Sequence, residues 1–414
     1  MPILKKSASR AEIKIHEGTP WGQVLLLIGA GVVASFQIGK VPPVLPALRI
    51  DLGLSLFWAS WVISIYSVIG LFIGAMAGAL ADRLGHRRLL LWGLVIQGSG
   101  SLVGSLAGSP ELLLGTRVLE GLGFLAIATS TPALIFRLVR PERVRLALGF
   151  WSAFVPIGMT LVLLGAPLVV GFSGWRGLWQ VNALILLGYA LVLGSRTREL
   201  ARAGGGSQAR WRFILEDVAK TASTPGPLLL ALIFSTYALQ WVTVMGFFPT
   251  LLMENRGFGA GSSSLLTALM VAVNIPGNFT GGWLLQRGVP RRRIIAISSL
   301  TMAAVSTAIF VPGFSFGLQY LACLLFSGVG GMLPAAVFGS APVLAPSTKL
   351  VAATNGLIMQ GSQFGQVVGP PLLAWMVSAA GTWGIAPWLL LPMALLGTAL
   401  SLFLSRLEKK LHPA

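Results

Sequence analysis

Charge is what this sequence has least of. Charged residues fill 10% of its 414 positions, against ~25% in an ordinary soluble domain. A soluble chain of this length could not cover its surface with so few, so a water-soluble enzyme or binding domain is excluded. Cysteine occurs once, at Cys323 inside an apolar run, which rules out an intrachain disulfide. Histidine occurs as His16, His86 and His412, none near another. No Cys/His spacing suits a metal, and no paired acids or clustered histidines form a catalytic constellation. No enzyme activity, cofactor or metal is therefore expected. The first twenty residues have no apolar core and read as a polar tail, not a cleaved signal. Acid is scarcer than base, 12 residues against 30, for a net charge of +18. The bases sit in short clusters between apolar runs, with no basic face interleaved with aromatics, so nucleic acid is not an expected partner.

What the chain does have is apolar length. Apolar residues make up 55%, and a bilayer core ~30 Å thick needs about 20 of them per helix. Twelve runs qualify, near 21–43, 56–80, 89–108, 112–136, 146–171, 177–195, 226–252, 262–286, 294–312, 315–338, 351–378 and 384–404. The predicted fold class is all-α, with twelve transmembrane helices in two six-helix bundles. Placing the N-terminus in the cytoplasm puts all the basic residues except Lys40, Arg49, Arg117, Arg176 and Arg256 in cytoplasmic segments, as the positive-inside rule requires. The expected order is a cytoplasmic tail over 1–20, a bundle over 21–195, a cytoplasmic linker over 196–224, a second bundle over 225–405 and a cytoplasmic tail over 406–414. The linker holds a Gly204–Gly206 hinge and a short amphipathic stretch, ARWRFILEDVAK, suited to the membrane surface.

The two halves repeat one signature. GALADRLGHRR over 78–88 follows the second run, and GWLLQRGVPRR over 282–292 follows the eighth. Gly78, Arg83, Arg87 and Arg88 correspond to Gly282, Arg287, Arg291 and Arg292; Asp82 becomes Gln286 and Gly85 becomes Val289. With its span count, linker and repeat, the chain resembles the major facilitator superfamily of secondary transporters. Gly78, Asp82, Arg83, Gly85, Arg87 and Arg88 match that family's loop 2–3 motif, and Arg117 and Gly121 in RVLEGLG match its span-four motif. Gly149, Gly158 and the GAP of 165–167 echo the span-five pattern of antiporters with broken spacing, which leans away from drug export. The resemblance implies alternating access, with the loop motif as a gate. Asp82 would accept from the N-terminus of span eleven near Val351 and, with the arginines and Arg287, latch the linker side while the outside is open.

The site is expected mid-membrane between the halves, where charges are costly and mark function. Lys40 lies ~9 Å below the end of the first span, and Arg117 and Glu120 lie ~8–12 Å into the fourth at 1.5 Å per residue. Arg117 and Glu120, three residues apart, share a face. One reading makes them a structural pair and has Lys40 snorkel outward. The other has Glu120 neutralise Arg117 and leave Lys40 to attract an anionic or zwitterionic organic solute. Glu120 is the one acid well inside a span, hence the candidate proton carrier if transport is proton-coupled; exchange and facilitated diffusion stay open. Gln37, Tyr237, Gln240, Trp241, Asn274, Asn278, Asn355, Gln360 and Gln363 complete the expected cavity, with Gln366 continuing a row at every third residue. The expected protein is a monomeric, multi-pass inner-membrane transporter whose partners are a small-molecule substrate, lipid and, with coupling, protons. The alternatives are a proton-coupled exporter of drugs or metabolites and a transporter-like sensor or receptor.

Overall fold

A computed structural model describes residues 19–198, 211–311 and 313–411. The expected tail over 1–18, the Gly204–Gly206 hinge and the last three residues lie outside these. The described residues form helices and turns, with no strand. Nine helical segments are long and apolar enough to cross a membrane, among the described residues. One of them, Pro141–Arg196, is two traverses: its helix Phe154–Arg196 reverses at Gly174, whose φ of 63° and ψ of −168° suit only glycine. His86–Gly104 and Val351–Ala380 are helices too polar for that count, the first opening on His86-Arg87-Arg88 and the second carrying Asn355 and three glutamines. Together these are consistent with the twelve expected traverses.

Local chemistry sets the helix ends. Ser55 caps Leu56–Ser64 by accepting from Trp58 N, and Ser109 caps Pro110–Leu138 by accepting from Leu112 N. The first span, Trp21–Gly39, tightens at Pro42 and Pro43, which have no N–H, before a short helix Leu45–Asp51. The second changes pitch at Ile65–Ser67, the eighth between Ala272 and Asn274, and the tenth between Gly330 and Met332. Gly85, with φ 87°, turns the chain between the second and third helices.

We call the face holding the linker helix Trp211–Ala222 the linker face and the opposite one the distal face. One apolar core joins distal residues of the first half, such as Leu45, Leu56, Ile63 and Trp179, to Phe247, Met302 and Phe326 of the second. A separate core, with Leu27, Leu94, Ile127, Phe154 and Leu193, belongs to the linker side of the first half alone. The large apolar core thus joins the halves on the distal side; toward the linker they still meet, Gly356 packing on Ala75 and Phe150 on Phe279 with ring centres 6.3 Å apart. Within the first half, the third and fourth spans touch backbone to backbone: a β-carbon on Gly93 would come 2.7 Å from Gly123 O.

Candidate functional site

The deepest charges lie inside the first half. Lys40 and Glu120 are 0% exposed and Arg117 1%. Lys40 ends the first helix, just before the Pro42 interruption, and its ammonium leaves the helix end sideways toward spans three and four. Lys40 Nζ donates to Glu120 Oε1 at 2.7 Å and to Ser101 Oγ at 2.8 Å, and sits 4.1 Å from the centre of the Trp179 ring. Ser101 Oγ in turn donates to Trp179 O at 2.8 Å. Arg117 Nη1 donates to Glu120 Oε2 and, at 2.8 Å, to Gln37 O; Nε donates to Val62 O at 2.9 Å. The Arg117 guanidinium carbon stands 4.6 Å from the Tyr66 ring centre, and Gln97 Nε2 donates to Tyr66 OH at 2.9 Å. One carboxylate therefore serves two cations, each also held by an aromatic face.

This corrects the expected division of labour. Lys40 is not left free: its ammonium is taken by Glu120, sealed from any solute path. The three charges bind spans one, three and four together: Arg117 and Glu120 pair, and Lys40 turns inward to them instead of snorkelling outward. Such a cluster is costly to desolvate and very costly to break. Gln37, one turn before Lys40, is fully buried with neither amide atom bonded within the described residues.

The second half buries neutral groups instead. Asn274, where the eighth span is interrupted, donates from Nδ2 to Ser327 O at 2.8 Å and to Tyr237 OH at 3.2 Å. Asn278 Nδ2 donates to Asn274 Oδ1 at 2.7 Å, and Trp241 Nε1 to Ser327 Oγ at 3.3 Å. The structure thus brings Tyr237, Trp241, Asn274 and Asn278 into one cluster. Gln240 turns back on its own helix, donating to Thr236 O at 2.9 Å, while its Oε1 is buried without a bonded partner, as is Asn355 Oδ1.

The glutamine row of span eleven goes elsewhere. Gln360 Nε2 donates to Leu71 O at 2.5 Å, Gln363 lies against Gly70, and Gln366 Oε1 accepts from Ser67 Oγ at 3.1 Å. Three residues advance 4.5 Å along a helix, so the row meets successive turns of span two. Gln360, Gln363 and Gln366 stitch the seam between the halves and do not form a cluster with Asn274.

The loop motif ties its own half. Asp82, half exposed, pairs with His86 Nε2 at 2.8 Å rather than with the start of span eleven. Arg87 donates to Gly194 O at 2.8 Å and Thr197 Oγ1 at 3.1 Å, at the end of span six. Arg83 and Arg88 are exposed, Gly78 faces open space, and Arg287 lies over its neighbour Trp283 at 4.4 Å. Among the described residues Asp82 is thus held by its own half. His86 is buried, and that burial pulls its affinity for a proton below the usual histidine value, opposed by the nearby Asp82 carboxylate.

Two features escape the sequence reading. An aromatic run, Tyr66–Phe124–Phe154–Trp151, crosses spans two, four and five with ring centres 5.4, 6.0 and 4.1 Å apart. At the distal face Arg49 Nη1 donates to Glu254 Oε1 at 2.8 Å across the seam. The signal for the second pair was one base and one acid in distal loops, with nothing to say that they meet.

The Major Facilitator Superfamily profile matches residues 27–348 and 229–414. The chain is 26% identical over 376 residues to a tetracenomycin C resistance and export protein of Streptomyces glaucescens, covering 89% of this chain and 64% of that one. It is 32% identical over 188 residues to a puromycin resistance protein of Streptomyces alboniger, covering 44% of this chain and 37% of that one. The chain thus spans less than two thirds of the length of these two relatives. A putative niacin/nicotinamide transporter of Bacillus subtilis is 23% identical over 352 residues, covering 83% of this chain and 85% of that one. In fold, the chain is similar to a bacterial homolog of the human lysosomal transporter Spinster, solved inward-facing and unoccupied. The TM-score is 0.79 at 17% identity, covering 96% of this chain and 100% of that one. A helical chain of this hydropathy, built as two halves about a seam and matched by this profile over most of its length, belongs to the major facilitator superfamily, a family of multi-pass membrane transporters.

Proposed function

We propose that the chain moves a small organic solute across the membrane by alternating access, with the linker face in the cytoplasm. The observation that carries this reading is the split core: apolar packing joins the halves distally, while the linker side of the first half keeps a core of its own. Two bodies packed this way can rock about the seam without unfolding either. The basic clusters beside the linker support a cytoplasmic linker face and cytoplasmic termini.

The solute is anionic or zwitterionic in this reading. Two cations and one acid leave the first half with a net buried charge of +1, and in a low-dielectric interior that charge acts over distance. It attracts a carboxylate and repels a cation without touching either. Direct contacts come from neutral groups: the Tyr237–Asn274–Asn278 cluster and the aromatic run from Tyr66 to Trp151. Glu120 is assigned a structural role. A proton on it would leave two buried cations side by side with no counter-charge, so no proton step is routed through it.

Export of a larger aromatic compound is the second reading. It is favoured by the aromatic run and by the names of the antibiotic-export relatives. A thermal-stability screen of the purified chain separates the two, because a ligand raises apparent stability as RT ln(1 + [L]/Kd). Carboxylates and amino acids are expected to raise the melting temperature. A rise with drug-like aromatics alone selects the second reading, and a rise with organic cations alone overturns the charge argument.

A further inference from the structure

The distal mouth of the seam is closed by one visible charge pair. Arg49 stands on the short helix Leu45–Asp51 of the first half, and Glu254 near the end of the Pro225–Arg256 helix of the second. Arg49 Nη1 donates to Glu254 Oε1 at 2.8 Å, and Glu254 Oε2 accepts from Trp383 Nε1 at 3.1 Å. The two side chains are 29% and 40% exposed, so the pair meets water on one side. The pair lines an open pocket of about 350 Å³ drawn from both halves, with Arg49 and Leu56 on one and Glu254, Val377, Thr382 and Trp383 on the other. A second cavity of about 370 Å³ adjoins it, sharing Asn255 and Thr382, with walls of Phe248, Phe310, Phe316 and Tyr320. Arg49 Nε is buried and has no hydrogen-bond partner among the described residues.

These facts specify a ligand. The edge of a guanidinium formed by Nε and Nη2 accepts a carboxylate side-on, through two parallel hydrogen bonds. Arg49 pairs with Glu254 through Nη1 while its Nε is buried, so a carboxylate reaches that edge only when Arg49 swings away from Glu254. A carboxylate drawing Arg49 away would leave Glu254 Oε1 between water and the apolar walls of Leu56, Val377 and Trp383, a modest cost for a half-exposed pair. A solute that also carries an ammonium removes this cost by pairing with Glu254 itself. Charges then balance before and after: one ion pair within the protein becomes two between protein and solute. An anion or a cation alone leaves one residue uncompensated. The adjoining aromatic chamber takes the apolar arm of the same solute, and its volume is within the range of small-molecule sites.

We propose that the Arg49–Glu254 cavity is a distal docking site for a small amino-acid-type zwitterion with an aromatic side chain, whose carboxylate takes Arg49 and whose ammonium takes Glu254. Because those residues belong to different halves, occupancy dissolves the charge pair that pins the distal seam. The role in opening rests on the transport reading above; the binding does not.

The test is binding of L-phenylalanine to the purified full chain by titration calorimetry, beside 3-phenylpropanoate, which lacks the ammonium, and phenethylamine, which lacks the carboxylate. Phenylalanine is expected to bind at least about tenfold tighter than either, the size of one lost charge-assisted contact. Arg49→Gln and Glu254→Gln are each expected to weaken it by about tenfold or more. Arg49→Lys, which keeps the charge and loses the side-on edge, should weaken it too. Both residues are partly exposed, so these variants retain the fold. Arg176→Gln, which removes an exposed distal cation outside both cavities, should leave this binding unchanged. The proposal is overturned if phenylalanine binds no tighter than phenylpropanoate, or shows no binding at about 10 mM. It is equally overturned if both glutamine variants bind like the parent. If binding is instead lost only in Asn274→Ala, the distal site is overturned while the central-site reading survives.

Discussion

The two halves come from one repeated plan and bury polar groups in opposite ways. In the first, Lys40, Arg117 and Glu120 are sealed among spans one, three and four, with Tyr66 and Trp179 as walls. In the second, Tyr237, Trp241, Asn274, Asn278 and Ser327 make a neutral network at helix interruptions. Buried charges are tolerable only when each has its counter-charge in place, so the first half has little freedom to rearrange. Amides and hydroxyls lose less when a partner leaves and find another more readily. The comparison teaches that the first half serves as a rigid body, and that adjustment to a solute falls to the second half and the seam.

The largest break in that comparison is Glu120→Gln. It leaves two cations buried without an acid and should destabilise the protein by about 3–5 kcal/mol. The readout is thermal melting in detergent, where the folded fraction should drop sharply. Adding Lys40→Met removes one uncompensated cation and should recover part of the loss. A single variant that melts like the parent would refute the rigid first half.

Asn274→Ala tests the other side. It strips two hydrogen bonds from Ser327 and Tyr237 and one from Asn278, at a cost of about 1–3 kcal/mol for the unsatisfied groups. The same melting assay should show a smaller shift than for Glu120→Gln. Equal shifts would erase the contrast between the halves.

Gln360→Ala acts at the seam. Loss of its bond to Leu71 O removes about 0.5–1.5 kcal/mol, and its sign belongs to the relation between the halves rather than to either one. Amide hydrogen exchange should quicken in spans two and eleven and stay unchanged around Lys40.

The smallest effect is pH dependence at the loop motif. Burial lowers the proton affinity of folded His86, so the unfolded chain takes up a proton first. Stability contributed by neutral His86 is full above the ordinary value of 6.5 and is lost as pH falls below it. A melting curve series from pH 8 to about 5 should show this slope, steeper in Asp82→Asn, which loses the carboxylate that opposes the shift, and absent in His86→Asn.

Much of this was legible in the residues. The apolar runs follow from length and hydropathy, which need no knowledge of neighbours. The three-residue spacing of Arg117 and Glu120 makes their pairing a property of one helix. Lys40 is different. Its partner lies on another span, and the register at which two helices cross is not encoded in the periodicity of either. The glutamine row shows the same limit, because its regular spacing reveals a stripe but not what the stripe faces. The stripe faces span two, where Gly70 leaves room for an amide. Asp82 marks a further limit: a latch between halves exists in one conformation, and a sequence describes all of them at once.

Composition alone determined that this chain lives in a bilayer, because so few charges cannot clothe a soluble surface. The clustering of bases determined which ends of the spans lie together, since a charge is expensive to carry across lipid. Only the tertiary structure decided which buried cation is satisfied, where the halves are sealed, and that Arg49 meets Glu254. Those outcomes depend on distances between residues remote in sequence, which are set by how whole helices pack.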